Sequence, residues 1–140
     1  MEDQPSATEL LQAVRSFLQG QAIPRLEGRA AFHARIAVNA LAIVERGLEL
    51  GPSHDAAERE RLEALLGRTG TLHELNRELC RRIRAGEMDL DTPGLPQHLR
   101  ETTLAKLAVD QPRYAAYRRA AGDSESGRAA DESEEGRGGG

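Results

Sequence analysis

The sequence predicts an all-α protein: a single antiparallel bundle of about five helices, followed by a disordered acidic C-terminal tail. Three observations lead there. Apolar residues recur at helical spacing in the folded segments, and no stretch shows strand-like alternation. Two helix-start signatures, Ser6 with Glu9 and Thr71 with Glu74, each open an apolar stripe. There is no Trp and only two Phe and two Tyr, so the core must be built from Leu, Ala, Val and Ile, which suits close-packed helices.

The elements follow in order. A first helix is expected from about Ser6 to Gln19, with Leu10, Val14, Phe17 and Leu18 on one stripe and Gly20 ending it. In the connection QAIPRLEG, Ile23 and Leu26 are expected to tuck into the core. The second helix, Arg29 to Leu50, is apolar almost all the way round, and such a helix is normally buried. It is placed at the centre of the bundle, with Gly51-Pro52 as its stop. A third, strongly charged helix runs from about Ser53 or His54 to Leu66 with Leu62, Leu65 and Leu66 as its apolar edge. The fourth begins at Thr71, presents Leu72, Leu75, Leu79 and Ile83 inward and ends near Ala85-Gly86. Arg81, Arg82 and Arg84 in its last turns complement the helix dipole. The fifth spans about Pro96 to Val109 with Leu99, Leu104 and Leu107. Pro112 then interrupts the chain, and a short last helix or turn follows.

The folded part is assigned to residues 1–120 and the tail to 121–140. Residues 123–140 hold six acids and two arginines, so the chain's whole net charge of −4 sits there and the remainder is neutral. A segment of that composition buries too little apolar surface to offset its ordering entropy. The balance also lacks the basic footprint of a nucleic-acid binder. Of the 19 bases, only Lys106 is a lysine, a pattern expected of compositional bias rather than of phosphate recognition. The start, MEDQPSATEL, is acidic and polar, and no run reaches the ~20 apolar residues of a membrane span. The expectation is a cytoplasmic protein without a membrane partner.

The polar residues of the second helix are its most informative feature. Arg29 and His33 share one face, and Arg35 and Asn39 share another, roughly 160–200° away on a wheel of 100° per residue. Each pair either bridges a neighbouring helix or faces a cleft or a partner. Asn76, within LHELNREL, is a second mid-helix asparagine, and an Asn39–Asn76 contact would fix the register of two helices. The stretch LAKLAVDQPRYAAYR gathers Lys106, Asp110, Arg113, Tyr114 and Tyr117 within twelve positions. Lys106 and Asp110, four apart, are expected to pair on the surface. In a chain so poor in aromatics this cluster is the candidate partner contact. No metal site is expected, because the histidines, 33, 54, 73 and 98, fall in four different segments without ligand spacing. Cys80 is expected to be a buried, inert thiol. No nucleophile elbow and no phosphate-binding glycine loop occurs, so no catalytic residue and no cofactor are assigned.

The blocks FHARIAVNAL, LNRELC and KLAVDQPRYAAYR, set within Glu9 to about Arg119, resemble a bacterial helical domain family of unknown function. Its members accompany kinases of the aminoglycoside-phosphotransferase fold and acyl-CoA dehydrogenases. Some are similar to the small accessory subunit of a kinase acting on hydroxyacyl-CoA thioesters. The resemblance implies a non-catalytic helper that binds and supports such a kinase. It supplies no functional residues. The alternative is a stand-alone domain or small enzyme using His33 and Arg35 to bind an acyl-CoA or phosphate. A homodimer joined through the same apolar faces is a third possibility.

Overall fold

The computed structural model describes residues 4–122. Five α-helices make up most of them: α1 Ala7–Phe17, α2 Gly28–Leu66, α3 Leu72–Arg84, α4 Leu95–Asp110 and α5 over 115–122. No strand occurs among the described residues, so the chain is all-α. Of the expected disordered tail, residues 121 and 122 are instead the helical end of α5, and 123–140 lie outside the described residues. The backbone divides into two compact units, Met1–Ala56 and Ala57–Gly140, with the boundary inside α2.

In the first unit, α1 opens with the expected capping box. Ser6 N–H donates to Glu9 Oε2 at 2.7 Å, and Glu9 N–H returns a bond to Ser6 Oγ at 3.3 Å. Gly20 does not end the helix. A π-helical turn, Leu18–Ala22, and a 3-10 turn, Ile23–Arg25, carry it on. A glycine stops a helix by turning left-handed, and Gly20 is not among the positive-φ glycines. Leu26 breaks the run instead by going extended. It is exposed and Ile23 only partly covered, so the connection contributes little core.

The expected stop at Gly51-Pro52 is also corrected: α2 is continuous for 39 residues with Pro52 inside it. Proline disfavours helix at the preceding residue partly through that residue's Cβ. Gly51 has none, which removes much of the clash. Just beyond, Ser53 Oγ donates to the Leu50 carbonyl at 2.9 Å, a side-chain bond that helices tolerate with a slight bend. The second and third expected helices are therefore one.

The second unit holds the tighter core. Leu62 and Leu66 of α2, Leu75 and Leu79 of α3, Met88 of the following loop and Leu95 of α4 are buried together, with Leu65 and Leu72 against them. These are mostly the positions the aliphatic spacing marked, although Ile83 and Leu99 are substantially exposed. Thr71 and Glu74 form the second capping box. At the other end of α3, Gly86 takes φ +71 while Glu87 N–H reaches back to Arg82 O at 2.9 Å. That Schellman-type end turns the chain so that Met88 enters the core. Arg100 of α4 donates to the Ala120 carbonyl at 3.4 Å, tying α5 to α4.

Candidate functional site

The two faces of α2 in the first unit are very different. Ala31, Val38 and Glu45 are buried and lie on one side of the wheel. Glu45, only 7% exposed, accepts from Gln12 Nε2 at 2.7 Å and pairs with the Arg15 guanidinium, so this side faces α1. The opposite side carries large apolar residues in the open: Phe32, Ile36, Val44 and Leu48 are 58, 48, 50 and 47% exposed. Ile43 is exposed beside them. The expectation that this helix is buried all round is thus corrected. With α1 as its neighbour within the unit, one face is covered and the other is left to solvent. The stripe Leu10, Val14 and Phe17 of α1 is exposed as well. The side of α1 in contact is the one bearing Leu11 and Arg15, continued by Leu18 of the π-helical turn, all partly covered.

Arg29, His33, Arg35 and Asn39 are all exposed and hold no hydrogen bond or ion pair among the described residues. They do not bridge helices. His33 packs its ring edge-on against Phe32, with centroids 5.7 Å apart. The pairs Arg29/His33 and Arg35/Asn39 flank the apolar stripe on its two sides and form no single cleft. Asn76 has a different partner from the one expected. Its amide donates to Glu58 Oε1 at 2.8 Å and to the Leu72 carbonyl at 3.1 Å, which joins α3 to the C-terminal part of α2.

In the second unit a broad open groove of about 680 Å³ runs along α3, lined by Arg68, Glu74, Arg77, Glu78, Arg81 and Arg84. Much of its charge is already matched. Glu78 accepts from Arg81 Nε at 2.9 Å and from Arg82 Nε at 2.8 Å. Those hydrogen bonds, Arg81's first, hold its carboxyl down to about 2. Arg81 also reaches Glu87 at 2.8 Å and lowers that carboxyl too. None of Arg29, His33 and Arg35 lines this groove.

A polar cluster lies at the junction of α2 and α4. His98 is 3% exposed, and its Nδ1 has no hydrogen-bond partner among the described residues. Burial, and then the neighbouring Arg61 charge, push its imidazole below the ordinary value. Arg61 pairs with Glu101 at 3.1 Å, while its own Nε is buried and has no partner among the described residues. Sequence reasoning missed His98 because it took Leu99, Leu104 and Leu107 as the inward stripe. Leu95, His98 and Thr102 form an equally good helical stripe, offset by one residue. Glu45 was missed too, although it is the one acid between Gly28 and Leu48, an isolation that marks a specific partner.

The C-terminal segment is open. Lys106, Asp110, Arg113 and Tyr114 are exposed and Tyr117 is partly covered. The expected Lys106–Asp110 ion pair is not formed: both side chains lie in water, where an i,i+4 pair is worth only a few tenths of a kcal/mol. Cys80 is exposed, not buried. It sits one residue, about 100° of turn, beyond the inward Leu79, which carries it off the packed face. Among the described residues no group of three His, Cys, Asp or Glu is placed to hold a metal ion, and no helix is long and apolar enough to cross a membrane.

These features define a small all-α protein whose unusual chemistry is on its surface: apolar side chains and unpaired polar groups held out to solvent. The profile of DUF6285, a domain of unknown function, matches residues 24–114, and the chain belongs to that family. The match covers α2 through Tyr114 and leaves α1 and the tail outside. No curated protein and no solved structure matches the chain.

Proposed function

We propose that this protein is a non-catalytic accessory subunit that docks onto a larger enzyme through the surface around Tyr114. One observation carries the reading. Within nine residues, Lys106, Asp110 and Arg113 are all exposed without a partner among the described residues, and Tyr114 follows them 52% exposed. Tyr and Arg are the residue types enriched at protein interfaces and among their energetic anchors, and charged groups such as Lys106 and Asp110 suit the polar rim around them. The partner suggested by the sequence resemblance is a kinase of the aminoglycoside-phosphotransferase fold acting on hydroxyacyl-CoA thioesters or related acids. The subunit would hold that kinase folded, or close its acceptor site, by burying this surface. A specific contact of this kind covers at least ~1,000 Å² in total.

The test is co-purification of the tagged full chain from its native host, followed by identification of the partner. Near-stoichiometric recovery of a phosphotransferase-fold kinase is expected. The double substitution Tyr114→Ala/Tyr117→Ala should weaken that association at least tenfold and leave the helical circular dichroism unchanged. Full binding by the double variant would remove this surface from the reading.

A further inference from the structure

Along the exposed side of α2, Phe32, Ile36, Ala40, Val44 and Leu48 follow one another at intervals of four residues. Residues spaced this way form a continuous i±4 ridge, the unit of the commonest helix-on-helix packing. All five are exposed, and the opposite side of the helix is the one committed to α1 through Glu45. The ridge is also symmetric about its middle. Ala40 is small, Ile36 and Val44 are large at four residues on either side, and Phe32 and Leu48 are large at eight.

We infer that this ridge is a twofold interface with a second copy of this chain, two α2 helices crossing antiparallel at Ala40. A twofold axis demands a self-complementary patch, in which residue i meets residue j and j meets i. A sequence palindromic in size meets that demand directly. Turning a second α2 end for end about Ala40 sets Phe32 beside Leu48 of the other copy and Ile36 beside its Val44. The two Ala40 residues then meet at the crossing, where small side chains permit an axial distance of about 8 Å. A partner of unrelated sequence would place no such constraint on the order of sizes.

The area is sufficient. A whole aromatic side chain offers about 150–250 Å², so Phe32 at 58% exposure presents roughly 100 Å². Together with Ile36, Ile43, Val44 and Leu48, of similar exposure, it presents on the order of 400 Å² of apolar side chain per copy. Adding the backbone and the flanking Ala37, Asn39 and Gly47, a symmetric pair buries about 1,000–1,200 Å², the lower range of specific interfaces. The acid nearest this stretch, Glu45, is turned away and neutralised, so no carboxylate has to be desolvated. This interface belongs to the first unit and involves none of the residues assigned to the enzyme partner, so its test needs no partner.

The experiment uses the full chain. Sedimentation over a concentration series is expected to show a reversible dimer, and Ile36→Glu/Val44→Glu should raise its dissociation constant at least a hundredfold while helical content stays constant. In a Cys80→Ser background, Ala40→Cys should cross-link the two copies on mild oxidation. Glu49→Cys, exposed but on the far side of the helix, should not. A monomer at every concentration overturns the inference, as does a dimer that survives the double glutamate variant or cross-links equally well through position 49.

Discussion

Replacing Glu45 by alanine should release α1 from α2 without disturbing the second unit. Glu45 is nearly the only polar group buried in the first unit. Its carboxylate accepts from Gln12 at 2.7 Å and pairs with Arg15, whose side chain is 32% exposed. Hydrogen bonds to a charged group contribute about 1.5–3 kcal/mol each in favourable settings. Water at Arg15 screens its share, and both donors can be rehydrated once the acid is gone. About 2–3 kcal/mol is therefore expected in all. At 1.4 kcal/mol per factor of ten, α1 should open roughly 30- to 140-fold more often. The assay is native-state hydrogen exchange of the Ala7–Phe17 amides, with Leu75 and Leu79 of α3 as internal reference. A double-mutant cycle with Arg15→Met separates the pair from general loss of packing. Coupling of about 1 kcal/mol is expected, and Glu45→Leu/Arg15→Met should recover much of the loss, because an apolar pair replaces a buried ionic one without leaving an orphan charge. Unchanged exchange in α1, or equal acceleration in α3, would refute the assignment of Glu45 as the link between the first two helices.

Other predictions concern the second unit and the irregular helix positions. Leu75→Ala, at a fully buried position, should cost about 3–5 kcal/mol in urea unfolding, the range for large-to-small changes at closed sites. Thr71→Ala removes the cap of α3 and should cost about 1 kcal/mol, visible as fraying of the first α3 amides. Pro52→Ala restores a helical N–H inside α2 and should stabilise the helix there by about 1–3 kcal/mol, seen as slower exchange over 50–56. His98 should make stability depend on pH. Its imidazole titrates near 6.5 in the unfolded chain and lower in the fold. Below pH 6.5 the unfolded chain then binds a proton that the folded chain refuses. The stabilisation is complete above about 6.5 and declines as pH falls toward the folded value. His98→Leu should flatten that decline between pH 7.5 and 5.5, and an unaltered slope would exclude His98 as its source.

What the sequence revealed and what it concealed divides along physical lines. Leu62, Leu66, Leu75 and Leu79 were legible because each lies on an amphipathic helix with a single apolar edge, so spacing and burial coincide. The capping boxes at Ser6 and Thr71 were legible because they are local: donor, acceptor and helix start lie within four residues. The second helix was misjudged for the converse reason. When nearly every position is apolar, periodicity cannot say which face is covered, and hydrophobicity alone suggests burial on all sides. Only the isolated Glu45 distinguishes the faces, because a lone carboxylate must find partners, and Gln12 and Arg15 supply them from α1. Once Glu45 fixes the covered side, the order of side-chain sizes on the other side, large, large, small, large, large about Ala40, acquires meaning that neither composition nor periodicity could give it. His98 illustrates the same limit: two helical stripes one residue apart fit α4 equally well, and the choice between them was made by Leu62 and Leu75 on other helices. Arg29, His33, Arg35 and Asn39 were noticed for being polar on an apolar helix. Their positions on the exposed side, unpaired, make them the rim of a surface and not the contents of a pocket.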